Sequence, residues 1–221
     1  KIDGKLWAFI FEDVGSKAIE QCEVLYFNYD NLRLGGYEPE QLYTWVKNKE
    51  WTWDKFYEVA LACSKPDQSI YGLSRWGVSM NLVLSNNTDI LKKVEIDGQL
   101  VDRFDGTNQK AMKAWDLYIN MYKSDILSPL NMGTSSAAAL SDFQSGHVTF
   151  MFNAWYYTIP TREANPELQY GYLPPPMGPD ATDYICENGT GEIFCLLKGA
   201  NNPNGTLKAM KELYKPIYGR D

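Results

Sequence analysis

The sequence predicts an α/β layered fold, and three observations carry the prediction. Apolar strand-like runs, VLYFN at Val24–Asn28 and VTFMFN at Val148–Asn153, alternate along the chain with amphipathic stretches such as WDKFYEVALAC. That order is expected when helices cover a sheet. Caps and turn pairs separate the runs, including Thr52, Asp97-Gly98 and Gly146. Finally, the 221 residues are 44 % apolar and 22 % charged, enough to bury a core.

The elements follow in order. DGKLWAFIF is a turn at Asp3-Gly4 followed by a strand, and Val24–Asn28 is a second strand. NLRLGGYEP reads as a short helical turn closed by Gly35-Gly36, with Pro39 beyond. In WTWDKFYEVALACSKP, Thr52 caps a helix that Pro66 stops, and Trp53, Phe56, Ala60 and Cys63 form its core stripe. IYGLSRWG is a short strand that breaks at Ser74–Gly77, and MNLVLSNNTDIL is helical for about two turns. Asp97-Gly98 turns a hairpin. The long helix TNQKAMKAWDLYINMYKSDIL sets Ala111, Trp115, Tyr118 and Tyr122 on one face. SSAAALSDFQSG is a short helix ended by Gly146, and strand Val148–Asn153 follows it. LQYGYLPPPMGPD is a strand leaving into a Pro-rich loop, GEIFCLLKG is a further strand, and NGTLKAMKELYKPI starts the last helix. No segment repeats.

The charge of −7 disfavours nucleic acid and fits a neutral or cationic ligand. No apolar run reaches the roughly 18 residues of a membrane span. Cys22, Cys63, Cys186 and Cys195 lack zinc spacing, so disulfides and free thiols both stay open, and the lone His147 reads as structural. No metal or cofactor motif is present. The sequons at Asn86, Asn188 and Asn204 read as accidental. The chain opens with neither Met nor signal peptide and reads as a stretch cut from a longer protein, which leaves its compartment open.

The order of motifs is informative beyond any one of them. DGKLWAF, VLYFNYDNL, TWDKFYEVA, YGL, DGQLVDRFDGTNQKAMKAWDLY, ALSDFQSGHVTFMFNAWYY, YGYLPPPMGP and GTGEIFCLLKGANNPNGTLKAMKEL follow one another over nearly the whole chain. This series resembles the bacterial extracellular solute-binding proteins that feed ABC importers, in the large sugar-binding class that includes maltose-binding protein. FQSGHVTFMFNAWY is the strongest single match. Two stretches depart from the pattern: FEDVGSKAIEQCE is long, and GYEPEQLYTWVKNKEWTW carries an insert.

The resemblance implies a periplasmic-binding-protein type II-like architecture of two lobes, here mostly one α/β lobe plus hinge strands. Residues 1–13 would cross from the first lobe, 14–186 form the second, 187–205 return, and 206–221 start a truncated helix. It implies capture of a sugar or oligosaccharide and delivery to ABC transporter permease subunits by hinge closure. The protein would work outside the cell membrane, lipid-anchored, or in the periplasm, and would hold no cofactor. With half the cleft elsewhere, this stretch alone is expected to bind ligand weakly.

Sugars offer apolar C–H faces to flat rings and hydroxyls to carboxylates, amides and Arg. The resemblance implies ligand contacts with that chemistry at Trp155, with Tyr156 beside it, at Trp76 and Arg75, and at Glu12 or Asp13; Asn153 just before Trp155 and Glu192 in the returning strand are further candidates. For Trp155 and Tyr156, which follow the apolar strand directly, core packing is the competing reading. For Arg75 the competing reading is a surface ion pair. Acid pairs such as Glu12/Asp13 keep a second class of function open, a glycoside hydrolase with two carboxylates. Against it, no nucleophile elbow or phosphate loop appears.

Overall fold

The structure is a computed structural model and describes residues 22–130, 135–186, 195–196 and 199–213. The expected strand in DGKLWAFIF, most of the one in GEIFCLLKG, and the candidates Glu12, Asp13 and Glu192 lie outside the described residues. The chain divides into two units. One is Cys22–Glu187; of the other, the longest described element is a helix at Pro203–Leu213. Among the described residues no helix is long and apolar enough to cross a membrane.

In the first unit, β1 (Glu23–Asn28) leads into α1 (Tyr29–Leu34), α2 (Pro39–Lys47) and α3 (Trp53–Cys63). Next come β2 (Tyr71–Leu73), α4 (Val78–Ser85), β3 (Leu91–Ile96), β4 (Gln99–Phe104) and α5 (Gln109–Lys123). The unit closes with α6 (Ser136–Gln144), β5 (Val148–Ala154), α7 (Thr158–Ala164) and β6 (Tyr170–Leu173). The main sheet has the order β2-β5-β1-β6. Strand β5 runs parallel to β2 and antiparallel to β1, with Phe150 opposite both Leu73 and Phe27.

Alternation builds two cores on one sheet. Leu25, Phe27, Phe150 and Phe152 face α3, where Phe56, Val59, Ala60 and Cys63 are sealed from solvent. Tyr26 and Met151 face the other way, onto Ala139, Leu140 and Phe143 of α6. Six of the seven β5 residues are buried, as expected of a central strand covered on both faces. Burial pushes the Cys63 thiol up to about 12, so it stays a small apolar side chain.

The local expectations hold where a cap or turn decides them. Thr52 Oγ1 accepts from the Lys55 amide at 3.4 Å, and all four residues of the predicted α3 stripe are buried. The β3–β4 turn places Asp97 at φ 52° and Gly98 at φ 76°, the left-handed pair that a two-residue hairpin turn needs. The face of α5 differs from expectation. Ala111, Ala114 and Met121 are buried, Trp115 and Tyr118 only partly, and Tyr122 is turned outward. The small Ala114 lets the helix approach closely, so the stripe shifts away from Tyr122. Helix α2 was not expected within the apparent insert. Its signal is Pro39 at the first turn and a reciprocal Glu38–Gln41 cap.

The Pro-rich loop after β6 is tied down at Asn86. Its Nδ2 donates to the Lys110 carbonyl (2.9 Å) and to Asp180 Oδ2 (3.0 Å), while its Oδ1 accepts from the Asp180 amide (2.8 Å). Lys113 Nζ completes the tie at 2.8 Å from the same carboxylate. Asn86 is fully buried, so its sequon is closed to modification in the folded chain.

Candidate functional site

The site forms where β5 ends. Beyond Ala154 the chain tightens into a turn at Trp155–Tyr157 and then enters α7. Tyr26, buried at the centre of β1, grips that turn. Its hydroxyl donates toward the carbonyls of Ala154 (2.9 Å) and Trp155 (3.0 Å) and lies 3.2 Å from Thr158 Oγ1. Thr158 Oγ1 donates to the Trp155 carbonyl at 2.8 Å, and the Trp155 amide donates to the Cys22 carbonyl at 3.0 Å. Burial pushes the Tyr26 phenol well above the usual tyrosine value, so it remains a neutral donor.

Thus the backbone at Trp155 is fixed while its side chain stays partly exposed. Trp155 is 40 % exposed and Tyr156 42 %. The Tyr156 and Tyr157 rings lie 4.3 Å apart at 32°. Hydrogen bonding to Tyr157, with burial second, pushes the Tyr156 phenol up to about 12. Tyr157 turns inward, its hydroxyl 3.1 Å from Ser136 Oγ.

Strand β2 is parallel to β5, so the Ser74–Gly77 loop emerges at the same end of the sheet. The Ser74 amide donates to the Phe150 carbonyl at 3.0 Å. Half-buried Trp76 packs with Tyr157 and Val24 against the Tyr26 core. Gly77, at φ 71°, sits so close that a Cβ would lie 3.4 Å from Phe152 Cβ and 3.3 Å from Glu23 Oε2. The structure therefore brings Trp76, Trp155 and Tyr156 to one end of the sheet.

Two other candidates go elsewhere. Arg75 lies over the Tyr122 ring, 5.1 Å from its centroid, and lines a groove of about 510 Å³ with Tyr71 and Lys123 on the outer side of β2. Asn153 departs from the expected contact with a ligand hydroxyl. It is only 1 % exposed; its Nδ2 donates to the Ser136 carbonyl (3.1 Å) and its Oδ1 accepts from the Ala154 amide (3.0 Å). Asn153 thus fastens the start of α6 to the strand end.

Glu23 was missed. It opens β1 opposite Ala154, and the Asn81 side-chain amide donates to its carboxylate. The available signal was a charged residue at the mouth of an otherwise apolar strand. Flat rings beside a carboxylate suit a polyhydroxylated ligand. Among the described residues no cluster of three His, Cys, Asp or Glu could hold a metal ion.

The family model of the bacterial extracellular solute-binding proteins matches residues 12–219. No curated protein matches. Solved structures do. Maltose-bound MalE3 of T. maritima is 21 % identical and covers 87 % of this chain and 44 % of its own, at a TM-score of 0.54. An ABC substrate-binding protein of Listeria monocytogenes in complex with cycloalternan is 15 % identical, covers 94 % and 48 %, and has a TM-score of 0.60. A sugar transporter of Bacillus licheniformis in complex with stachyose is 14 % identical, covers 99 % and 54 %, and has a TM-score of 0.62. The chain spans about half the length of these structures. They share its fold, the type II periplasmic-binding-protein fold, of which the described sheet unit is a partial single lobe. With the family model matching nearly its whole length, the chain belongs to the bacterial extracellular solute-binding proteins.

Proposed function

We propose that this chain supplies one lobe of a receptor that captures a sugar or oligosaccharide outside the cell and hands it to an ABC importer. Residues 14–186 make that lobe, and residues 1–13 and 187–205 cross to the other. Sugar binding closes the two about the crossing strands. Permease subunits receive the closed form, and a lipid anchor or the periplasm keeps the receptor near them. The protein binds without turnover.

The carrying observation is Trp155: a large indole, 40 % exposed, on a backbone fixed by Tyr26 and Thr158. With the backbone already fixed, only the side-chain torsions of the indole remain to be ordered when a sugar stacks on it. Tyr156 and Trp76 at the same sheet end extend the surface, and Glu23 adds an acceptor for hydroxyls. The relatives solved with maltose, cycloalternan and stachyose support the ligand class.

The test is a titration of the full-length protein with maltose, maltotetraose and stachyose by calorimetry. We expect saturable binding to at least one, and a loss of about tenfold or more in Trp155→Ala, the scale of a truncated aromatic hot spot. Unchanged affinity in that variant would remove Trp155 from the site. A reducing-sugar assay on the same oligosaccharides addresses turnover. Steady product release that disappears in Glu12→Gln would replace the receptor reading with a hydrolase.

A further inference from the structure

A second groove, of about 500 Å³, opens at the outer edge of the sheet, against edge strand β6. Tyr29, Tyr170 and Tyr172 line it together with Arg162 and Gln169. It is separate from the Trp155 stretch. Strands β5 and β6 lie on opposite sides of β1, and along β1 Ala154 pairs with Glu23 while Tyr172 pairs with Tyr26. Those two levels are three residues, or about 10 Å, apart at the rise of a strand.

Each side chain in the groove has a reason to be where it is. Tyr170 points its hydroxyl inward to the Thr158 carbonyl at 3.1 Å, which holds its ring upright. Tyr172 stands edge-on to Tyr26, with centroids 5.8 Å apart at 79°, yet is 37 % exposed. Its own ring is thus braced on one side and open on the other. Tyr29 is braced in the same way by stacking on Phe27 at 5.3 Å. Arg162 and Gln169 are exposed and supply donors at the rim, and no acidic residue is among the described residues that line the groove.

Braced aromatic rings with a guanidinium and a carboxamide at the rim repeat the chemistry that recognises a sugar's C–H face and hydroxyls. The volume falls within the range of small-ligand sites. We propose that the β6 groove is a second carbohydrate-binding site, independent of the Trp155 site, with Tyr172 as its stacking platform. It would hold an oligosaccharide on the outer flank of the lobe and raise its local concentration near the receptor.

The experiment is a two-dimensional amide NMR titration of the full chain with maltotetraose and with stachyose, each to about 10 mM, the range for weak surface sites. The expected result is fast-exchange shifts at Gln169–Leu173 and Arg162 that survive in Trp155→Ala. They should vanish in Tyr172→Ala and persist in Tyr172→Phe, which keeps the ring. Shifts confined to the Trp155 region, or groove shifts lost in Trp155→Ala, overturn the second site while leaving the first intact. Shifts only in the groove overturn the Trp155 reading and leave this one standing. No groove shift with either sugar, in a variant set whose spectra show a folded protein, also overturns it.

Discussion

Tyr26 carries more of the site's geometry than any residue that could touch ligand. Removing its hydroxyl in Tyr26→Phe leaves the Ala154 carbonyl without that donor and releases one of two clamps on the Trp155 carbonyl. We expect a stability loss of about 1–3 kcal/mol, the cost of leaving a buried polar group unpaired. Thermal unfolding measures it. Sugar affinity should fall with it, because the indole's backbone loosens while the indole stays. At this scale the sequence was legible in parts. Trp155 could be placed at a strand end because an apolar run stops directly before it. Asn153 could not be placed, since the direction of its amide depends on where the start of α6 lands against β5. Arg75 looked equivalent to Trp76 by position. One step along a loop sends one residue over Tyr122 and the other against the Tyr26 core, and only the packing of α5 beside β2 decides which.

At the scale of elements, local rules hold where a single residue sets the backbone. The β3–β4 hairpin stands outside the main sheet, so the left-handed φ at Gly98 should govern its own opening and little else. Gly98→Val forces a branched residue into a conformation costing about 1–2 kcal/mol. Hydrogen exchange of the β3 and β4 amides should quicken roughly tenfold per 1.4 kcal/mol, with β1 and β5 amides unchanged. The tie between the Pro-rich loop and α5 responds to acid instead. Hydrogen bonding from Lys113, then from Asn86, holds the Asp180 carboxyl below the usual carboxylate range. A depressed carboxylate adds stability above its unfolded pKa of about 3.9, and that stability is lost as pH falls through the folded value. The melting-temperature gap between wild type and Asp180→Asn should therefore be constant above about pH 5 and shrink below about pH 4. Nothing in the sequence joins Asn86, Lys113 and Asp180, which come from three separate stretches. Helix α2 was hidden for a different reason: its Pro and paired Glu-Gln cap resemble a loop until the helix that follows is seen.

At the scale of the molecule, the alternation of apolar runs with amphipathic stretches pointed to a layered α/β fold, since helices covering a sheet bury hydrophobic periods of 2 and 3.6 together. The strand order was not legible, because β1 pairs with β5 across more than a hundred intervening residues. If the receptor reading holds, saturating the full-length protein with its sugar should reduce the radius of gyration in solution scattering as the lobes close. Trp155→Ala should need about tenfold more sugar for the same change. Equal radii with and without a bound sugar would contradict closure.

The burial of Asn86 bears on how the protein can be made. A eukaryotic secretory host offers a glycan to Asn-Asn-Thr while the chain is still emerging and unfolded. A glycan attached there would occupy the space into which Asp180 must dock, leaving the Pro-rich loop stranded. Yield from such a host should recover in Thr88→Ala, which erases the acceptor signal and keeps the asparagine. A bacterial host has no such hazard.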